Sequence, residues 1–247
     1  MQKYLIHHLA DLPGAEIIFA EQAIRIINSG ILTDNTSYHI CVNGSILRFE
    51  SVIDQIQSLY DVTVVTVAND CNQGEYPTLH YLHNLVHKLP TAAAVGYIHL
   101  KGAGRPGHAE VQDWRRLMEF FIIDNYQHCV KWLLNDYNVV GCNWTPVSWI
   151  KPHFSGNFWW ANSDYINSLK KLSPPSERIV GACSEFSGLT YGKYWSDVWN
   201  QIEDRGIFDH ECWITSGNYK QKSLFDSRVD HYQQLYPESK YINYTIE

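Results

Sequence analysis

Tyr97-Ile98-His99-Leu100-Lys101-Gly102 carries a histidine and a lysine at the end of an apolar run, with Arg105 just beyond in the glycine-containing loop 101–107. Strand alternation puts His99 and Lys101 on the same side of the strand end. With Arg105 they would make a compact cationic pocket able to stabilise a diphosphate, both bound and leaving. Trp114-Arg115-Arg116 opens a long helix shortly after, so its first amides, with Arg115 or Arg116, would extend the same anion site. Further on, the run 153–162, HFSGNFWWAN, sets Ser155, Gly156 and Asn157 before Phe158, Trp159 and Trp160. A strand of this kind can open into a pocket. Its ring faces suit the apolar faces of a sugar, and His153, Ser155 and Asn157 suit the hydroxyls. Equally, the same aromatics can simply fill a core. Because strand neighbours point to opposite faces, one of Trp159 and Trp160 should face the core and the other the sugar. Glu211, in His210-Glu211-Cys212-Trp213-Ile214, is a carboxylate beside apolar groups and a candidate general base.

Other chemistries find less support. The first strand leads into His8-Leu9-Ala10-Asp11-Leu12-Pro13-Gly14 without a glycine triplet. The glycines near Lys101 have neither the dinucleotide nor the Walker spacing, and no G-x-S-x-G elbow occurs. A net charge of −7 argues against a nucleic-acid partner. The chain has 247 residues, ample for a real core, and is 14% aromatic with 9 Trp and 16 Tyr. That aromatic content suits carbohydrate, nucleobase or protein contacts. Its 6 cysteines are scattered, with no zinc-ligand spacing, which suits reduced thiols in a cytoplasmic setting. The opening MQKYLIHHLADLPG lacks the apolar core of a signal peptide, and no apolar run approaches the ~18 residues of a membrane span. A soluble, cytoplasmic protein is expected.

These residues need elements to hold them. Strands are expected at 4–9, 38–42, 62–68, 92–100 and 139–142, with the β-branched run 62–68 reading as a buried parallel strand. Helical spacing falls at 15–28, stopped by Gly30, at 50–60, from about 75 onward, and over 113–134. The alternation predicts a mostly parallel α/β sheet with helices on both faces and ligands at the carboxyl ends of its strands. The loop 70–75 and the residues 99–107 then share one mouth. After Pro146 the pattern changes: the run 153–162 reads as a strand, 163–169 as a helix, and the remainder as irregular.

YIHLKG, WRRLMEF, VGCNW, HFSGNFWWANSDYI, HECWITSGN and DHYQQLYPESKY together resemble GT-A-like glycosyltransferases. The group is that of bacterial surface-polysaccharide clusters (O-antigen, capsule, rhamnan-synthesis-like) and of large DNA viruses. Gly74-Glu75-Tyr76-Pro77 matches the loop, and His99-Leu100-Lys101 the strand end, of the rhamnan-synthesis pattern. The resemblance covers most of the chain from about Asn69 and implies one GT-A-like domain over 1–247. Its Rossmann-like sheet would form a nucleotide-sugar half, 1–145, and a more irregular acceptor and catalytic lobe would follow, 146–247. It also implies sugar transfer from a UDP, GDP or dTDP type donor to a glycan hydroxyl, with inversion. His7, His8, Asp70, Glu75, His99, Lys101, Arg105 and Arg115 would hold the donor. His153, Ser155, Asn157, Trp159 and Trp160 would hold the acceptor, with Glu211 as base and Glu185 as backup. The D-x-D that usually carries a divalent metal is replaced by His99-x-Lys101. Either Lys101 and Arg105 neutralise the diphosphate without metal, or Asp70 and Asn72, aided by His99 or His231, hold one. The competing class is a non-catalytic glycan-binding protein on the same aromatic platform; a hydrolase built on the histidines is a third.

Overall fold

A computed structural model describes residues 1–146, 151–174 and 210–246. The chain begins β1 (Gln2–Ala10), α1 (Ala15–Asn28), β2 (Thr36–Asn43), α2 (Glu50–Gln57), β3 (Val62–Ala68), α3 (Tyr76–Val86) and β4 (Ala93–His99). It continues with α4 (Ala109–Glu119), α5 (Tyr126–Leu133), β5 (Val139–Gly141) and the short pair β6 (Trp144–Thr145) and β7 (His153–Phe154). Then come β8 (Trp159–Asn162), α6 (Ser163–Ser168) and β9 (Gln221–Ser223). Seven strands form one sheet in the order β3-β2-β1-β4-β8-β5-β9. All of its neighbours pair in parallel except β8, which runs antiparallel to both β4 and β5. The mostly parallel α/β sheet is therefore present. The antiparallel β8 stitches the second half of the chain into the sheet formed by the first.

Helices cover both faces. Leu5, Leu9 and Ile98 point into the cluster with Phe19 of α1, Ile53 of α2, Leu117 of α4 and Leu133 of α5. Ile6, Val95 and Tyr97 point into the cluster with Leu82 of α3 and Ile166 of α6. This two-sided burial corrects the expected sugar platform. Trp159 and Trp160 do point to opposite faces, but each face is roofed, and both are 0% exposed. Trp159 stacks on Tyr97 with centroids 5.2 Å apart, while the Trp160 indole donates to the Ile122 carbonyl at 2.9 Å. Trp160 lies across from Gly96 in the β4–β8 ladder, and a Cβ there would stand 2.7 Å from the indole. Glycine at 96 is what admits so large a ring.

Three other expectations change. The run 62–68 is a strand, but β3 is an edge of the sheet with only Val62 buried. β-branched side chains favour extended backbone whether or not a second neighbour covers them. The helix expected over 113–134 starts at Ala109 and is interrupted by a π-helical turn, Phe120–Asp124. There the Asn125 amide and its side-chain Nδ2 both donate to the Phe120 carbonyl, at 3.1 and 2.8 Å. Finally, HFSGNFWWAN is two short strands around a turn, with Gly156 at φ +93° and Asn157 at φ +57°. A Cβ on Gly156 would run into Met118 and stand 3.1 Å from Cζ2 of Trp114, so glycine is required for space as well as for φ. No helix among the described residues is long and apolar enough to cross a membrane.

Candidate functional site

The carboxyl ends of the parallel strands gather one set of polar residues. On β1, alternation sends His7 toward α1 and His8 toward α3; on β4, Tyr97 and His99 point the same way as His8. α3 begins at Tyr76, with Pro77 in its first turn, and so presents Glu75 just before its start. The Gly156 turn brings Asn157 over the same spot. Glu75 Oε2 accepts the Tyr97 hydroxyl at 2.7 Å and Asn157 Nδ2 at 2.6 Å. Its Oε1 stands 3.9 Å from His99 Nε2. The Trp159 indole donates to Asn157 Oδ1 at 2.9 Å, which fixes the amide with its NH2 toward Glu75. Asn157 is thus committed to locking a carboxylate, and its 2% exposure leaves no free amide for a sugar hydroxyl.

The histidines around Glu75 are neutral. Burial, then Lys101, lowers the His99 pKa to about 4, and burial lowers that of His8 to about 4. His99 Nε2 donates to the Gly156 carbonyl at 2.8 Å, so in the neutral ring Nδ1 carries the lone pair. His8 Nδ1 pairs with the Thr78 hydroxyl at 2.7 Å. His153 Nδ1 donates to the Lys151 carbonyl at 2.7 Å, and burial lowers its pKa too. Glu211, half-buried on a helical turn, interacts electrostatically with Tyr97, His99 and His153. Two carboxylates, Glu75 and Glu211, therefore share Tyr97 and the neutral imidazole of His99, with His8 beside the first and His153 beside the second.

The cations stand beside them. Lys101 Nζ lies 4.1 Å from the Trp114 ring centroid and 5.7 Å from that of Tyr232, and Arg105 Cζ lies 4.8 Å from Tyr232. Among the described residues neither meets a carboxylate within ion-pair distance. Lys101 bears on His99, His153 and His231 electrostatically, which ties the cationic side to the carboxylate side. Ser155 is partly buried in the turn, its amide donating to the Asn143 carbonyl at 2.9 Å.

Several expected site residues lie elsewhere. His7 is 0% exposed, its Nε2 on Gln22 Oε1 and its Nδ1 on the Tyr38 hydroxyl, both at 2.8 Å. Burial drives its pKa to about 3. Arg115 is not at a helix start: α4 begins at Ala109, so its side chain turns inward from the second turn. It pairs with Glu119 at 2.9 Å and Glu21 at 2.6 Å. A guanidinium already neutralised by two carboxylates is no diphosphate ligand. Asp70 and Asn72 sit on an exposed loop, where Asp70 Oδ1 accepts the Asn72 amide at 2.9 Å. His231 is buried, stacked on Trp114. No group of three or more His, Cys, Asp or Glu among the described residues is placed to hold a metal ion. Glu185 lies outside the described residues.

Tyr97 was missed as a site residue although its spacing from His99 put it on the same strand face. Trp114 and Tyr232 carry no such signal, and His231 is expected only as an aid to a metal, because their meeting depends on how residues after β9 return to α4. The spacing His83-x-x-x-His87 was also passed over. It places two rings 4.2 Å apart, His83 in the last turn of α3 and His87 just past its end, away from Glu75.

No curated protein matches the sequence. Among solved structures, the crystal structure of Rv0371c from Mycobacterium tuberculosis H37Rv is similar at 14% identity over 93% of this chain and 90% of that one. Its TM-score of 0.37 is too low to carry an argument. The chain belongs to the family described as "Domain of unknown function (DUF8361)", which matches residues 11–218.

Proposed function

We propose that the protein is a GT-A-like glycosyltransferase, moving a sugar from a UDP, GDP or dTDP type donor to a glycan hydroxyl with inversion. The observation that carries this reading is the juxtaposition, at one sheet edge, of two cations without carboxylate partners among the described residues and two carboxylates across neutral histidines. In the reaction, the acceptor oxygen forms its bond to the anomeric carbon while its proton passes to Glu211. The bond from that carbon to the diphosphate oxygen breaks, its electron pair leaves with the diphosphate, and Lys101 and Arg105 take up the developing charge. Glu75, held by Tyr97 and Asn157, orients a sugar hydroxyl rather than the diphosphate, since a carboxylate would repel it. The 5 described cysteines are all free, which fits a reducing cytoplasm. The burial of both Trp159 and Trp160 removes the aromatic platform that this reading and the non-catalytic glycan-binding alternative both expected to use.

Calorimetry with UDP, GDP and dTDP, each with and without Mg²⁺ or Mn²⁺, tests the reading. One nucleotide should bind, and Lys101→Ala should weaken it. Glu211→Gln should keep that binding and lose on the order of 10²–10⁴-fold in turnover, the usual scale of general-base catalysis. If none of the three binds under either condition, the proposal fails; near-wild-type turnover in Glu211→Gln removes Glu211 as base.

A further inference from the structure

Beside Lys101 and Arg105 stand two ring N–H groups that lack any acceptor among the described residues. Trp114 is 3% exposed and His231 5% exposed, and their rings stack with centroids 5.3 Å apart at 7°. Trp114 Nε1 is buried with no hydrogen-bond partner among the described residues, and so is His231 Nδ1. The His231 tautomer follows from its neighbours. Asn143 Oδ1 accepts the Ser227 amide at 3.0 Å, which leaves Asn143 Nδ2 to donate to His231 Nε2 at 3.4 Å. The Ser227 hydroxyl stands 2.7 Å from the same nitrogen. Nε2 is therefore the acceptor, and the proton of the neutral ring sits on Nδ1. The indole edge that carries Nε1 also carries Cζ2, the atom beside the Gly156 turn, so it faces the strand end where His99 lies.

Buried donors without partners are rare and destabilise the fold that holds them. Here two such donors adjoin two cations that meet no carboxylate among the described residues, and the four groups share one missing feature, an acceptor bearing negative charge. Asp230 bears on His231 electrostatically, but it sits on the exposed side of the same segment and accepts from neither ring nitrogen. Tyr232, 44% exposed, stands edge-on to Trp114 at 5.2 Å and lies against both cations.

We propose that Trp114 Nε1–H and His231 Nδ1–H are ligands of a phosphoanion, completing with Lys101 and Arg105 a subsite for a diphosphate group. The assignment rests on the glycosyltransferase reading for its donor but extends the site to residues after β9, beyond the matched family range of 11–218. An N–H that lacks a partner in the free protein and gains one in the complex has opposite effects in the two states. Trp114→Phe keeps a ring for Lys101 and His231 and deletes only the donor. It should leave the melting temperature of the free protein unchanged or higher, and weaken binding of inorganic pyrophosphate about tenfold, the effect of one charge-assisted hydrogen bond of about 1.4 kcal/mol.

The test combines pyrophosphate calorimetry on wild type, Trp114→Phe and Lys101→Ala with a ¹H–¹⁵N spectrum of the wild-type indoles. The expected result is a downfield shift of the Trp114 indole resonance on adding pyrophosphate, absent for the indoles of Trp159 and Trp160, together with weaker binding by both variants. Wild-type affinity in Trp114→Phe, or an indole resonance that stays in place at saturation, overturns the assignment. If Lys101→Ala still loses affinity in that case, the phosphate reading survives without these donors. If both variants bind as wild type does, or wild type binds no pyrophosphate, the anion site itself is gone. Should Trp114→Phe not fold, the indole shift in wild type decides alone.

Discussion

Asn157→Asp inverts one contact without changing its shape. The Trp159 indole still finds an oxygen, and Asp tolerates the φ of +57° much as Asn does. The other oxygen, however, replaces an NH2 that sits 2.6 Å from Glu75 Oε2. Two carboxylates that close cannot both be ionised, so the pair holds one proton with an apparent pKa raised by about 3 units, from near 4 to near 7. Each unit is worth about 1.4 kcal/mol, giving a deficit of about 4 kcal/mol at pH 7. The sign is set by a folded-state pKa above the unfolded one. The pair is content when protonated, so the penalty is absent below about pH 4 and grows as pH rises through the window to about 7. At pH 5 the deficit against wild type should be about 1.4 kcal/mol. For a chain of this length, about 2–4 °C of melting temperature per kcal/mol puts the deficit near 8–16 °C at pH 7. Melts followed by circular dichroism at pH 5, 6, 7 and 8 measure it. The double variant Glu75→Gln with Asn157→Asp restores one donor and one acceptor and should regain most of the loss. A deficit that does not change with pH, or a double variant no better than the single one, would refute the geometry on which the site is built.

The Gly156 turn and the buried histidines make further outcomes measurable. Gly156→Ala combines a positive-φ cost of about 1–2 kcal/mol with an overpacking cost of about 1–3 kcal/mol against Met118. Urea unfolding should show a loss of about 2–5 kcal/mol, and a loss below 1 kcal/mol would mean the turn relaxes freely. Acid should destabilise the protein early, because His7, with a pKa of about 3, and His8 and His99, with pKa values of about 4, lie well below the unfolded value of about 6.5. The unfolded chain takes up those protons first, so stability falls as pH drops below about 6.5, by about 1.4 kcal/mol per unit for each histidine. A melting temperature flat between pH 6.5 and 5 would contradict this.

Local chemistry made much of the frame legible. α1 ends where the apolar spacing said it would, but its buried stripe is Ile18, Phe19, Gln22, Ala23 and Ile26, with Ile17 and Ile24 69% and 60% exposed. Periodicity finds a helix and leaves a choice of neighbouring stripes; the sheet chooses. The same limit explains Gln22, a polar residue on that buried face, which joins His7 to Glu119 across a donor chain of 2.8 Å bonds.

By itself the sequence determined which residues end strands, and so that His99, Lys101, Arg105 and Glu75 would meet at one edge, because parallel strands deliver their carboxyl ends to the same side. It also determined that Trp159 and Trp160 would diverge. Only the tertiary structure decided that both would be buried, since that depends on which helices roof each face. It alone turned Arg115 inward onto Glu119 and Glu21, and committed Asn157 to Glu75 through a turn that needs Gly156. It alone brought His231 and Tyr232 back against Trp114. Apart from the i,i+4 pair Arg115–Glu119, those contacts join residues dozens to more than a hundred positions apart, and pairing at that distance is set by packing and backbone reach, which no local spacing encodes.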